Sequence, residues 1–123
     1  MPINKIALLV EEEFLIAMDL ERVLEHFAIT ETVIARTAQE ALALQTDWNA
    51  FALAIVDVGH APHAGLELAH HLLSTGVPLV LTTTDLSLAG GIPDLPNVPV
   101  VTKPVPETVL VGALQRALSV ISE

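Results

Sequence analysis

The chain has 123 residues and a formal charge of −10, because fifteen acidic residues outnumber five basic ones. Hydrophobic residues make up 52% of it, enough for a substantial core, and we expect a single domain over residues 1–123. The bases are scattered, which argues against direct binding of nucleic acid. No apolar stretch approaches the roughly 20 residues of a membrane span, and the start lacks the features of a secretory signal. We therefore expect a cytoplasmic protein that makes no membrane contact.

Hydrophobic patterning predicts strands that alternate with helices along the chain. Uninterrupted apolar runs indicate buried strands, and apolar residues at helical spacing indicate amphipathic helices. The predicted strands are 5–10, 32–35, 51–56, 77–81 and 98–101, and the predicted helices are 14–27, 37–44, 65–74 and 106–119.

The segment 85–97 interrupts this alternation, because its glycines and prolines oppose a full helix. Strands alternating with helices predict an α/β fold, a doubly wound parallel sheet with right-handed crossovers. We expect five strands in the flavodoxin-like order 2-1-3-4-5, with the fourth helix short or missing.

Polar side chains follow four of the predicted strands directly. Glu11 and Glu12 follow the first strand, Asp57 the third, residues 82–84 (three threonines) the fourth, and Lys103 lies just after the fifth. Ligands of open α/β sheets bind at the carboxyl ends of the strands, where the strand order reverses. In the predicted order that position lies between strands one and three, so the three carboxylates should converge.

Converging carboxylates repel one another unless a cation holds them. Mg²⁺ prefers oxygen ligands and is usually held by one or two carboxylates together with phosphate oxygens. Lys103 and a threonine hydroxyl would serve the remaining phosphate oxygens, a combination suited to phosphoryl transfer. Asp57, which ends a buried central strand, is the natural carboxylate to accept the phosphoryl group.

Four motifs in order, LLVEEE, AIVDVG, VPLVLTTT and VTKP, together with Gly65 eight residues after Asp57, resemble the chemotaxis-Y-like receiver domain of two-component response regulators. The resemblance covers nearly the whole chain. It implies that Asp57 accepts a phosphoryl group from a histidine kinase or a small acyl phosphate. It also implies that Glu11 and Glu12 are the acidic pair of a Mg²⁺ site, to which Asp57 and the main-chain carbonyl of Gly59 contribute.

The resemblance assigns two further roles. Thr83 matches the hydroxyl that senses phosphorylation, and Lys103 matches the lysine that neutralises phosphoryl charge. The bond between Lys103 and Pro104 is often cis in this family. Such a domain catalyses only its own phosphorylation and dephosphorylation, so we do not expect an enzyme acting on other substrates.

Four departures from the family pattern bear on activity. Glu12 stands where aspartate is common, and its extra methylene alters the reach of the carboxylate by about 1.5 Å. Val100 replaces the usual aromatic residue, so the expected coupling to Thr83 cannot operate in the usual way. Gly59 has no side chain with which to orient or block water, and segment 85–97 lacks most of a helix.

Two functions remain open at this point. The first is a phosphorylatable receiver that signals by protein–protein interaction, with a sensor histidine kinase or histidine phosphotransfer protein upstream and a protein target downstream. The second is a degenerate receiver that never takes phosphate and acts as a binding module. Either kind of receiver is compatible with a homodimer.

Overall fold

The computed structural model describes residues 5–44, 46–59 and 62–122, without the side chains of residues 120–122. Within these residues, an α-helix follows every strand except the fourth. The strands are β1 (Ile6–Val10), β2 (Glu31–Ala35), β3 (Phe51–Asp57), β4 (Leu79–Thr83) and β5 (Val100–Thr102). The helices are α1 (Phe14–Glu25), α2 (Ala38–Leu42), α3 (Pro62–Ser74) and α4 (Glu107–Ser122).

The five strands form one parallel sheet in the order β2-β1-β3-β4-β5. This confirms the predicted α/β class and strand order. The central strands β1 and β3 are apolar on both faces, as expected for strands that helices cover on both sides.

Alternate residues of the central strands enter two separate hydrophobic clusters. Leu8 of β1 and Val56 of β3 pack with residues of α2 and α3 on one face of the sheet. Leu9 and Ile55 pack with residues of α1 and α4 on the other face. This arrangement fixes which way each side chain points at the end of its strand.

The starts of three elements differ from the predicted ones by two or more residues. β4 and β5 each begin two residues later than predicted, after Pro78 and Pro99, whose carbonyls accept hydrogen bonds from neighbouring strands. Proline has no N–H to donate to a ladder, so it lies before such strands. α3 begins at Pro62 rather than at residue 65, because the first turn of a helix does not need the missing N–H.

The segment between β4 and β5 contains no α-helix. Its helical structure is one short 3-10 turn, Leu86–Leu88, which the Asp85 side chain caps by accepting a hydrogen bond from the Ser87 N–H at 2.9 Å. Ile92 and Leu95 nevertheless pack into the core. The prediction that the fourth helix of the fold is short or missing is therefore confirmed.

None of the helices in the described part of the chain is long and apolar enough to cross a lipid bilayer.

Candidate functional site

Backbone hydrogen bonds hold the residues that follow the strands at the carboxyl edge of the sheet. The N–H of Glu11 donates to the Ala35 carbonyl at 3.0 Å, just beyond β1 and β2. The N–H of Lys103 donates to the Thr83 carbonyl at 2.7 Å, just beyond β4 and β5. Asp57 is itself the last residue of β3. The sheet ladder therefore determines where these three side chains start.

The Lys103 ammonium lies between two carboxylates at this edge. Its Nζ is 2.9 Å from Oε1 of Glu11, and it donates a hydrogen bond to Oε2 of the same carboxylate at 3.2 Å. It also donates to Oδ2 of Asp57 at 3.4 Å. The side chains are 1% exposed for Glu11, 11% for Lys103 and 13% for Asp57. Coulombic attraction is stronger in such a partly water-excluded site, so the lysine offsets the repulsion between the two acids.

Glu11 also contributes to the start of α1. Its Oε2 accepts a hydrogen bond from the N–H of Glu13, at 3.0 Å. The Glu13 side chain makes no cap hydrogen bond of its own at this helix end. A carboxylate at the beginning of a helix is favoured by the helix dipole, so Glu11 is held by the helix as well as by the lysine.

The ionisation of Asp57 and Lys103 is perturbed in ways that follow from this geometry. Burial raises the pKa of Asp57, Lys103 acts to lower it, and the charge of Glu11 adds to the rise, so the net pKa lies above its usual value. Burial acts to lower the pKa of Lys103, but the hydrogen bond to Glu11 and the charges of Asp57 and Glu11 outweigh it. The pKa of Lys103 is therefore raised, and the ammonium stays charged at neutral pH.

A pocket of about 430 Å³ opens over these groups. Four carboxylates and two cations line it, which gives it a formal charge of −2. The carboxylates belong to Glu11, Glu12, Glu13 and Asp57, the cations are Arg36 and Lys103, and Gly59 and Thr84 complete the lining. A polar, negatively charged pocket of this kind suits a hard cation or a ligand that brings one.

The predicted metal ligands share this pocket but do not form a close cluster. Among the described residues, no group of three or more acidic, histidine or cysteine side chains is spaced to hold a metal ion. Glu11 is buried against Lys103, whereas Glu12 is exposed. Gly59 has a φ of +65°, a backbone conformation that favours glycine, and it lines the same pocket. Carboxylate and carbonyl oxygens are the donors that Mg²⁺ prefers, and at most two of these side-chain carboxylates lie close enough together to bind one ion.

The threonines at the end of β4 have different environments. Thr82 donates a hydrogen bond from Oγ1 to Oδ1 of Asp57, at 3.3 Å. Thr83, the predicted functional threonine, is buried and accepts a hydrogen bond from the Asp85 N–H at 3.0 Å. Thr84 is exposed and lines the pocket. The hydroxyl that contacts Asp57 is thus the one before the predicted residue.

Sequence reasoning also missed Arg36 as a lining residue of the pocket. It follows β2 directly, as Glu11 follows β1, and the same edge-of-sheet argument would have identified it. Thr82 could have been found from the ladder, since it pairs in register with Asp57 and paired residues of parallel strands point to the same face.

Two further features agree with the motifs quoted above. The bond between Lys103 and Pro104 is cis. Gly65 lies so close to the end of β3 that an added Cβ would come within 3.3 Å of the Val58 Cα. A side chain at this position would press α3 away from Val58, which directly follows Asp57 at the end of β3.

Solved structures with this fold extend over nearly the whole chain. A response regulator receiver domain protein from Clostridium thermocellum is 19% identical, with a TM-score of 0.73, and the alignment covers 96% of this chain and 97% of that one. The receiver domain of the PhyR response regulator of Erythrobacter litoralis is 28% identical, with a TM-score of 0.66, covering 94% and 91%.

A CheY-like receiver domain protein from Methanospirillum hungatei is 26% identical, with a TM-score of 0.69, and 98% of each chain is covered. Neither a protein-family model nor a curated protein sequence matches the chain. The chain therefore has the receiver-domain fold of CheY-like response regulators, which supports a role in two-component signalling.

Proposed function

We propose that the chain is a phosphorylatable receiver that accepts a phosphoryl group on Asp57 and signals through a protein partner. The observation that carries the proposal is the ammonium of Lys103, 3.4 Å from Oδ2 of a half-buried aspartate that ends the central strand. Phosphoryl transfer asks a protein mainly to position groups and to neutralise charge. A carboxylate beside a fixed cation in an open pocket can do both.

In the proposed reaction, an oxygen of the Asp57 carboxylate attacks the phosphorus of a phosphohistidine. A new O–P bond forms, the P–N bond breaks, and its electron pair remains on the histidine nitrogen. Lys103 donates hydrogen bonds to phosphoryl oxygens as charge builds up on them. Thr83 or the exposed Thr84 beside it would supply a hydroxyl when the loop after β4 rearranges.

A bound Mg²⁺ would supply positive charge that the pocket lacks. The groups that would hold it are Asp57, Glu12 and the carbonyl of Gly59, which line one pocket with a net negative charge. Glu11, the other expected ligand, is already bound by Lys103, so Asp57 and Glu12 would be the two side-chain carboxylates that contact the ion. Waters would complete the coordination, as is usual for this ion.

An exposed apolar patch at the start of α1 supports a protein partner. Phe14, Leu15 and Met18 are all exposed, and their spacing places them on neighbouring positions of the helix surface. This patch directly follows Glu13, which lines the pocket. A partner that docks here, such as a histidine kinase or a histidine phosphotransfer protein, would bring its phosphohistidine next to Asp57.

The test is the intact mass of the protein after treatment with acetyl phosphate and Mg²⁺. We expect the wild type to gain the mass of one phosphoryl group and Asp57→Asn to gain none. Asp94→Asn is the matched control, because Asp94 lies in a different pocket beside Leu79, at the opposite end of β4. Equal adducts in wild type and Asp57→Asn would place the reaction elsewhere and refute the assignment.

Two observations favour a second candidate, a receiver fold kept as a binding module that takes no phosphate. The Glu11 carboxylate is already neutralised by Lys103, and the described residues offer no cluster of three metal-binding side chains. An absent adduct in the wild type, together with binding to a partner that Asp57→Asn leaves intact, would establish this alternative.

A further inference from the structure

A buried hydroxyl contacts the Asp57 carboxylate from inside the protein. Thr82 pairs in register with Asp57, and its residue is 1% exposed. Its carbonyl accepts a hydrogen bond from the Val58 N–H at 2.9 Å, so the backbone on both sides is fixed. The hydroxyl donates to Oδ1 at 3.3 Å.

The two oxygens of Asp57 are therefore not equivalent. Oδ1 is bound by the buried Thr82, whereas Oδ2 is bound by Lys103, which lines the pocket. Two donors on different oxygens restrict rotation about the terminal torsion of the side chain, which is otherwise soft. Oδ2 is thus the oxygen presented to an incoming phosphoryl group.

We propose that Thr82 is a positioning residue that fixes the Asp57 carboxylate and shortens the lifetime of the phosphoryl group on it. The inference rests on the proposed function. In hydrolysis, water attacks phosphorus, the bond between phosphorus and Oδ2 breaks, and its electron pair returns to the carboxylate. Phosphate leaves with the oxygen of the water.

The direction of the effect follows from where charge develops. The Thr82 hydroxyl bonds an ionised carboxylate more strongly than the carbonyl of an acyl phosphate, because charge-assisted hydrogen bonds are stronger. It therefore stabilises the leaving carboxylate more than the phosphorylated state. At 3.3 Å the bond is long for an O–H donor, so its loss should slow hydrolysis by about three-fold, at the low end of a typical net hydrogen bond.

The experiment compares the decay of the phosphoryl adduct in four proteins by intact mass, after acetyl phosphate is removed. Thr82→Val replaces the hydroxyl by a methyl group of similar size, and Thr82→Ser restores a hydroxyl. Thr75→Val is the matched control, since the Thr75 hydroxyl donates to the Leu72 carbonyl at 2.9 Å near the far end of α3. The free energy of unfolding of each variant is measured in urea.

We expect the adduct of Thr82→Val to persist about three times as long as that of the wild type. Thr82→Ser should return the lifetime towards that of the wild type, and Thr75→Val should not alter it. If Thr82 had only a packing role, replacing it would loosen the site, admit water and shorten the lifetime of the adduct.

An unchanged or shorter lifetime of the adduct in Thr82→Val would overturn the inference. So would a lifetime in Thr82→Ser that stays as long as in Thr82→Val. Either outcome would leave the proposed function standing. If the wild type forms no adduct at all, the proposed function and this inference fall together. The wild-type mass spectrum alone distinguishes that case from the others.

Discussion

Replacing Lys103 by methionine should destabilise the fold markedly, because it leaves a buried carboxylate without its counter-ion. The Glu11 side chain is 1% exposed and lies 2.9 Å from the ammonium. Among the described residues, its Oε1 has no aligned hydrogen-bond donor, and Oε2 would keep only the Glu13 N–H. Removing one partner of a buried ion pair costs about 3–5 kcal/mol.

The lower end of this range applies here, because the pocket admits water to the site once the lysine is gone. We therefore expect a loss of about 3 kcal/mol in the free energy of unfolding, which corresponds to a fall of roughly 10 °C in Tm for a chain of this size. The raised pKa of Lys103 means that the ammonium stabilises the fold at neutral pH. That contribution is lost only as the pH rises through the folded pKa, above the ordinary value of 10.5.

The measurement is urea unfolding at neutral pH and again at alkaline pH, with Lys5→Met as the control for loss of an exposed positive charge. The double variant Lys103→Met with Glu11→Gln should recover most of the stability, because it removes the uncompensated charge while keeping an acceptor for the Glu13 N–H. If Lys103→Met is no less stable than Lys5→Met, or if the double variant recovers nothing, Glu11 does not depend on Lys103 and the geometry of the site is wrong.

Three other predictions concern the same pocket. Asp57→Asn should be more stable than the wild type at neutral pH, because a raised carboxyl pKa means that the ionised group opposes folding. In urea unfolding, the difference in free energy of unfolding should shrink as the pH falls towards 4. A difference that grows in acid would contradict this prediction. Glu12→Gln should reduce the rise in Tm that Mg²⁺ gives the wild type, and an equal rise would exclude Glu12 as a ligand. Arg36→Gln should raise the KM for acetyl phosphate about three-fold with little change in kcat, since its charge attracts the anionic donor to the pocket; an unchanged KM would show that it does not.

The sheet could be predicted from the sequence because its strands are apolar runs too short for buried helices. β1 and β3 are buried on both faces, and nothing in their patterns competes with the strand assignment. The starts of β4 and β5 were misplaced because Pro78 and Pro99 belong to the apolar runs but cannot donate to a ladder. Composition predicts the existence of such strands, whereas hydrogen bonding determines their ends.

The site was predictable as a set of residues but not as a set of contacts. Glu11, Asp57 and Lys103 each follow or end a strand, so the strand order alone predicts that they meet. Which of the three consecutive threonines contacts Asp57 depends on the register between β3 and β4. A shift of one residue would turn the Thr82 side chain to the other face of the sheet. The pairing of Lys103 with Glu11 depends on a rotamer, which no pattern in the sequence specifies.

Glu11 and Glu12 are adjacent in sequence, yet their positions suit them to different tasks. The N–H of Glu11 still belongs to the ladder beside β2, so its side chain turns inward to Lys103, while the next residue points to solvent. An added phosphoryl group on Asp57 would compete with Glu11 for the same ammonium, because Lys103 is within 3.4 Å of both carboxylates. Phosphorylation should therefore weaken a contact that helps to hold the start of α1, beside the exposed apolar patch. This gives the site a direct physical connection to the surface where we propose that the partner binds.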